Sequence, residues 1–253
     1  MIDLSRPWPL GIGAKQWRYA VAIAVAIEAV AFAFDHEVSV FAQSLPAVIR
    51  DTLAEITPYG EADWILYPSG ALLIVTALLA RFHPWKLMRL ILWEFTGLWA
   101  FIFTGVAAPS LVSTIIKRII GRPRPMHYDT DGLFGLQPNW FDWTHQSWPS
   151  GHATTAFALA ACVGFISERW FYPSLVLAGV IGLSRLTGGW HYPSDVFAGA
   201  ILGLLGAYAV RLYFAKRNWL FTRAADGRIT QRPMSALKRY ISLQRRRVGA
   251  RKP

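Results

Sequence analysis

Three short polar islands stand in an apolar background: Lys117 with Arg124-Pro125; Pro149-Ser150-Gly151-His152; and Ser184-Arg185 with His191 and Asp195. Together they offer cations, two imidazoles and a carboxylate. Phosphoryl transfer to a side chain needs fixed positive charge on the non-bridging oxygens, a neutral nucleophile aimed at phosphorus, and an acid for the leaving oxygen. The islands supply each of these types.

His191 and Asp195 are four residues apart, so a helix starting near Tyr192 puts both on one side of its first turn. An Asp accepting one ring N–H would fix the tautomer of His191 and leave the other nitrogen free to attack. Asp195 also fits a plain first-turn acid beside Pro193. Ser150 is a natural N-cap, Gly151 lets an anion approach the backbone, and His152 in the first turn could protonate a leaving group. A capped helix with a polar first turn explains the same residues. Lys117 ends an apolar run, and Gly121-Arg122-Pro123-Arg124-Pro125 follows, its prolines limiting how the arginines move. Arg124 suits a bidentate phosphate contact. Arg118 and Arg122 fit lipid-headgroup contacts and are given no catalytic role.

The elements that must position these islands are apolar. Of 253 residues, 54% are hydrophobic and 16% charged, with twelve Trp and fifteen Phe. The mean hydropathy is positive. Aromatic residues collect at membrane interfaces. The net charge of +11 is not interleaved with aromatics on a polar face, which argues against a nucleic-acid partner. Cys162 is the only cysteine, so an intrachain disulfide and a thiolate zinc cluster are both excluded. It sits in an apolar run, as a packing residue would.

Six runs approach the ~20 apolar residues that span a bilayer. They are Trp17 to Phe34, Trp64 to Leu79, Leu90 to Ile116 (tilted or broken near Pro109), Gly151 to Ile166, Tyr172 to Leu186 and Val196 to Phe214. The first reads as a retained helix rather than a cleaved signal. An N-terminal segment 1–16, a membrane domain 17–214 and a basic tail 215–253 follow from these bounds. Lys and Arg fall in alternate loops, which places both termini in the cytoplasm and the islands on the outer side of the membrane. The Lys117–Trp148 loop breaks this rule with four cations, as if they were kept for chemistry. The tail from Arg223 to Pro253 has ten basic residues and one acid. It fits a segment lying on the anionic inner leaflet or a disordered, solvated tail that enforces topology.

The islands together resemble the type 2 phosphatidic acid phosphatase (PAP2) superfamily. Its signature is Lys, six residues, Arg-Pro; Pro-Ser-Gly-His; and Ser-Arg, five residues, His, three residues, Asp. Every defined position is matched, in order and spacing. The resemblance implies an all-α polytopic membrane protein with six transmembrane helices and the helical core shared with haloperoxidases. It implies His191 as nucleophile, Asp195 as its orienting partner and His152 as acid then base. Lys117, Arg124, Ser150, Gly151 and Arg185 would hold phosphate, with no metal or other cofactor. The expected activity is hydrolysis of a lipid phosphate or diphosphate through a phosphohistidine. Undecaprenyl diphosphate is the first choice among undecaprenyl diphosphate, phosphatidylglycerophosphate, phosphatidate and lipid A phosphates. A vanadium haloperoxidase-like enzyme and a phosphate-gripping lipid binder or transporter are the alternatives. Oligomeric state is not readable.

The loop aromatics Tyr128, Phe134, Trp140, Phe141, Trp143 and Trp148 fit interface anchors or the wall of a lipid access route. His36, His83, His127 and His145 receive no role. Glu28 and Glu94 lie in apolar runs and fit hydrogen bonds between helices.

Overall fold

The structure is a computed structural model and describes residues 2–13 and 15–249. Met1, Ala14 and residues 250–253, which belong to the expected N-terminal segment and basic tail, lie outside the described residues. The apolar runs become helices: α1 (Trp17–Ala33), α4 (Asp63–Phe82), α5 (Lys86–Ile120), α7 (Gly151–Ile166), α8 (Phe171–Thr187) and α9 (Pro193–Lys216). The stretch between the first two apolar runs folds into α2 (Asp35–Ser44) and α3 (Ala47–Ile56), with a 63° bend between α1 and α2. A short α6 (Tyr128–Asp131) sits in the loop before α7.

Three stretches are long and apolar enough to cross a membrane: Ala47–Phe82, Lys86–Asp131 and Pro193–Lys216; a fourth is reached if the bent α1–α2 pair counts as one. The 16 residues of α7 and 17 of α8 rise only about 24 and 26 Å, short of a ~30 Å hydrocarbon core. Length and composition by themselves identify three to four spans among the described residues. The 35 residues of α5, by contrast, extend about 52 Å and overreach that core. This helix runs unbroken through Pro109, whose ring is packed against Gly206.

The six apolar helices alternate in direction, and α7 is the hub. It is apolar all round, and ten of its sixteen residues are buried. Gly199 and Gly203, one turn apart on α9, let the two backbones meet. A Cβ at the first would strike the Ser150 carbonyl, and one at the second the Thr154 carbonyl. On the outside, α1 buries none of its residues. Its exposed Val21, Ile23, Val25 and Ile27, spread around the helix, suit acyl chains and not water.

All three polar islands lie at one end of this bundle. The other end closes over Phe101, Phe165, Phe171 and Phe214 with Leu4 from the N-terminal segment. Arg211, 2% exposed, donates to the carbonyls of Leu4 and Arg6 and ties that segment to α9. The described part of the basic tail carries regular structure, and the fold is not purely helical. Strands β1 (Phe221–Arg223) and β2 (Ile229–Gln231) form an antiparallel hairpin with Thr222 opposite Thr230. Its Phe221 and Ile229 are buried in the same aromatic cluster. Helix α10 (Ser235–Gly249) then packs on α5. Glu94 explains the docking. Its carboxylate accepts from Ala236 N at 2.9 Å and Leu237 N at 3.2 Å, capping the free N–H groups of α10.

Candidate active site

Four helix ends and one stiff loop build the site. Lys117 lies in the last turn of α5, which Gly121 terminates in the left-handed conformation (φ 64°). A side chain at Gly121 would also collide with the Gln137 carbonyl, so the chain can turn there only with glycine. Arg122-Pro123-Arg124 follows, held by Arg124 N donating to Thr144 O and Ser147 N donating to Arg122 O, both at 3.0 Å. Ser150 is the N-cap of α7, its Oγ accepting from Ala153 N at 3.4 Å. Its own N–H donates to Asp195 O at 2.8 Å, joining the starts of α7 and α9. Arg185 is in the last turn of α8, and its carbonyl accepts from His191 N at 3.3 Å.

These residues converge. Lys117 Nζ occupies the space left by the missing side chain of Gly151, where a Cβ would stand 3.1 Å from it. His152 lies within electrostatic reach of Arg185, His191, Lys117 and Arg124. The guanidinium of Arg124 lies 5.0 Å from the Trp143 ring and 5.9 Å from Trp190, and Arg185 lies 5.6 Å from Trp190. Trp190 thus braces two arginines. Among the described residues, Arg124 Nε, Arg185 Nε and His152 Nε2 are buried without a hydrogen-bond partner. Buried donors without partners are costly, and several around one point suit an anion.

His191 is 1% exposed. Its Nδ1 faces Asp195 Oδ2 at 3.4 Å. That distance is long for a hydrogen bond, because the same oxygen already accepts from Ser147 Oγ at 2.5 Å and Tyr192 N at 2.8 Å. Burial drives the His191 pKa down to about 3, against the opposing pull of Asp195. The ring is therefore neutral at pH 7, with Nδ1 toward the carboxylate and Nε2 left over. Asp195 combines both sequence readings: it caps the first turn of α9 through Tyr192 N and also faces His191.

Arg122 overturns the expectation of a headgroup contact. It is 2% exposed and lies between two fully buried carboxylates. Its Nη1 donates to Asp195 Oδ1 and to Ser194 Oγ, and its Nη2 donates to Asp35 Oδ2, each at 2.7 Å. Asp35 also accepts from Ser194 N at 2.9 Å and Ser194 Oγ at 2.6 Å. Asp35, Ser147 and Ser194 carried no distinguishing mark in the sequence. Only the stiff Gly-Arg-Pro-Arg-Pro run hinted that Arg122 has a fixed job. Ser184, a signature residue, accepts from Thr57 Oγ1 at 2.8 Å and fastens α8 to the end of α3.

The remaining loop residues also find partners. His145 places Nδ1 2.9 Å from Asp142 and Nε2 3.1 Å from Asp131. A neutral imidazole has one N–H, so two carboxylate partners suit the charged ring. Burial lowers the His145 pKa, but the two carboxylates outweigh it and the net shift is upward. Bonds from the Thr144 hydroxyl and backbone, then from His145, lower Asp142 to about 2. His127 stacks on His145 and His36 on Tyr128. Glu28 accepts from Trp148 Nε1 at 2.9 Å.

The PAP2 superfamily profile matches residues 97–219. The chain is 30% identical over 193 residues to a lipid A 1-phosphatase of Rhizobium johnstonii, covering 76% of this chain and 78% of that protein. A lipid A 1-phosphatase of Rhizobium etli is likewise 30% identical over 193 residues, with 76% and 82% covered. The fold is similar to the crystal structure of a transmembrane PAP2 type phosphatidylglycerolphosphate phosphatase from Bacillus subtilis. The TM-score is 0.51 at 22% identity, covering 80% of this chain and 95% of that one. On this sequence similarity the chain belongs to the PAP2 superfamily.

Proposed function

We propose that this protein hydrolyses the terminal phosphate of a membrane lipid phosphate, with a lipid A 1-phosphate as the first candidate. The names of the two Rhizobium relatives move that substrate ahead of undecaprenyl diphosphate, the first choice on sequence alone. The observation that carries the reading is the buried His191 with one nitrogen turned to a fixed carboxylate and the cations Lys117, Arg124 and Arg185 gathered at the same end of the bundle. His191 Nε2 attacks phosphorus as the P–O bond to the leaving group breaks, and His152 gives that oxygen its proton. Water then loses a proton to His152 and attacks phosphorus; the P–N bond breaks and phosphate leaves. The cations and the Ser150–Gly151 helix start hold the non-bridging oxygens. The reaction as written calls for no metal.

Six transmembrane helices, with the site at the outer face and both termini cytoplasmic, form part of the same reading. The alternation of the six helices supports it, as does the packing of the N-terminal segment and α10 at the bundle end away from the islands. The short α7 is then a central helix sheltered by the longer α5 and α9, while α8 keeps Val176, Leu177 and Leu183 exposed on the outside of the bundle.

The test is phosphate release by purified protein from lipid A 1-phosphate, undecaprenyl diphosphate, phosphatidylglycerophosphate and phosphatidate, with and without EDTA. Fastest turnover of the lipid A substrate, unchanged by EDTA, and an acid-labile phosphoenzyme absent in His191→Ala are expected. Turnover that EDTA abolishes, or wild-type hydrolysis by His191→Ala, would overturn the mechanism.

A further inference from the structure

We infer that α10 is a surface helix that binds the anionic headgroups of the leaflet opposite the catalytic site. Depth comes first. About 20 helical residues cross the ~30 Å hydrocarbon core. Counted from Lys117 down α5, they end at Gly97; counted from Asp195 down α9, they end at Ala215. The two counts agree, because Gly97 and Phe214 line one cavity of about 670 Å³, together with Trp93, Trp219 and Arg232. Glu94 lies three residues past Gly97, about 5 Å further along the axis, at headgroup depth. Its carboxylate caps α10 there, so the start of α10 is pinned at the membrane surface.

Charge comes second. Lys238, Arg239, Arg245 and Arg246 are all exposed. At 100° per residue they fall within an arc of about 120°, on the side away from buried Ala236. Ile241 and Leu243, each 42% exposed, border that arc on its two edges. No acidic residue follows Asp226, so nothing within the helix neutralises the stripe. A basic stripe edged by aliphatic side chains suits an anionic lipid surface, where the cations reach phosphates and the aliphatic edges enter the interface.

The experiment uses the full chain in nanodiscs of phosphatidylcholine alone or with phosphatidylglycerol. An environment-sensitive fluorophore is placed at exposed Ser242→Cys; Cys162 is fully buried and stays unlabelled. A blue shift is expected only in the anionic discs, reversed by high salt. Lys238→Gln with Arg239→Gln, Arg245→Gln and Arg246→Gln should abolish it. Each single neutralisation should weaken it about fivefold while phosphate release stays at the wild-type rate. Glu94→Gln should raise hydrogen exchange over residues 235–241 in both lipids. Equal emission in the two discs, a shift indifferent to salt, or displacement of the helix by added RNA instead of its retention on lipid would each overturn the inference. None of these outcomes depends on which lipid is the substrate.

Discussion

Arg122→Met is the most telling perturbation, because it separates the support of the site from the reacting groups. The guanidinium is 2% exposed and its two carboxylate partners are fully buried. Methionine fills the space but leaves Asp35 and Asp195 facing each other's charge without a counter-ion. Removing one member of a buried ion pair costs about 3–5 kcal/mol. At about 2–4 °C per kcal/mol for a domain of this size, the thermal midpoint in detergent should fall by roughly 10 °C. Asp195 also loses its Oδ1 anchor and can turn away from His191. Losing the orienting carboxylate costs about 10⁴ in kcat in a well-studied histidine–aspartate pair, which sets the ceiling for turnover loss here. A second variant makes the reasoning sharper. Arg122→Met with Asp35→Asn removes the surplus charge, so stability should partly return while turnover stays low. The assays are a thermal ramp in detergent and phosphate release on the same samples. Arg122→Met with an unchanged midpoint and wild-type turnover would refute the argument; so would a double variant that recovers activity fully.

Other outcomes follow from the same geometry. His152→Ala should lower turnover about 10²–10⁴-fold for a lipid monophosphate. It should lower it much less for an activated aryl phosphate whose leaving group needs no proton, and equal losses would remove His152 from the acid role. Gly203→Val should push α7 from α9 at the Thr154 carbonyl and lower the yield of folded protein, read by size-exclusion after extraction. For His145 the folded pKa is raised. Its stabilisation is full below the unfolded value of about 6.5 and is lost as pH rises through the folded value. Hydrogen exchange in residues 128–146, corrected for intrinsic rates, should therefore increase at alkaline pH, and His145→Gln should remove that pH dependence.

How much was legible can be judged from particular elements. The run Gly151 to Ile166 is a helix with those bounds, and Trp17 to Phe34 differs from α1 by one residue. Long apolar runs in a bilayer have no alternative to a helix, since every backbone group must be satisfied internally. The three islands were legible because helix ends carry fixed offsets between neighbours. The stretch 35–63 holds no long apolar run, and its short amphipathic α2 and α3 are held by tertiary contacts instead. Aromatic Trp143 and Trp190 gave no sign of bracing arginines.

The chain by itself determined the apolar helices, the positions of their polar ends and the residue types that meet there, because those depend on local periodicity and spacing. Only the tertiary structure decided that Asp35 reaches Arg122 across 87 positions, and that Glu94 holds α10 across more than 140. Such pairings depend on how helices pack side by side, and spacing along the chain carries no record of a contact made between distant turns of different helices.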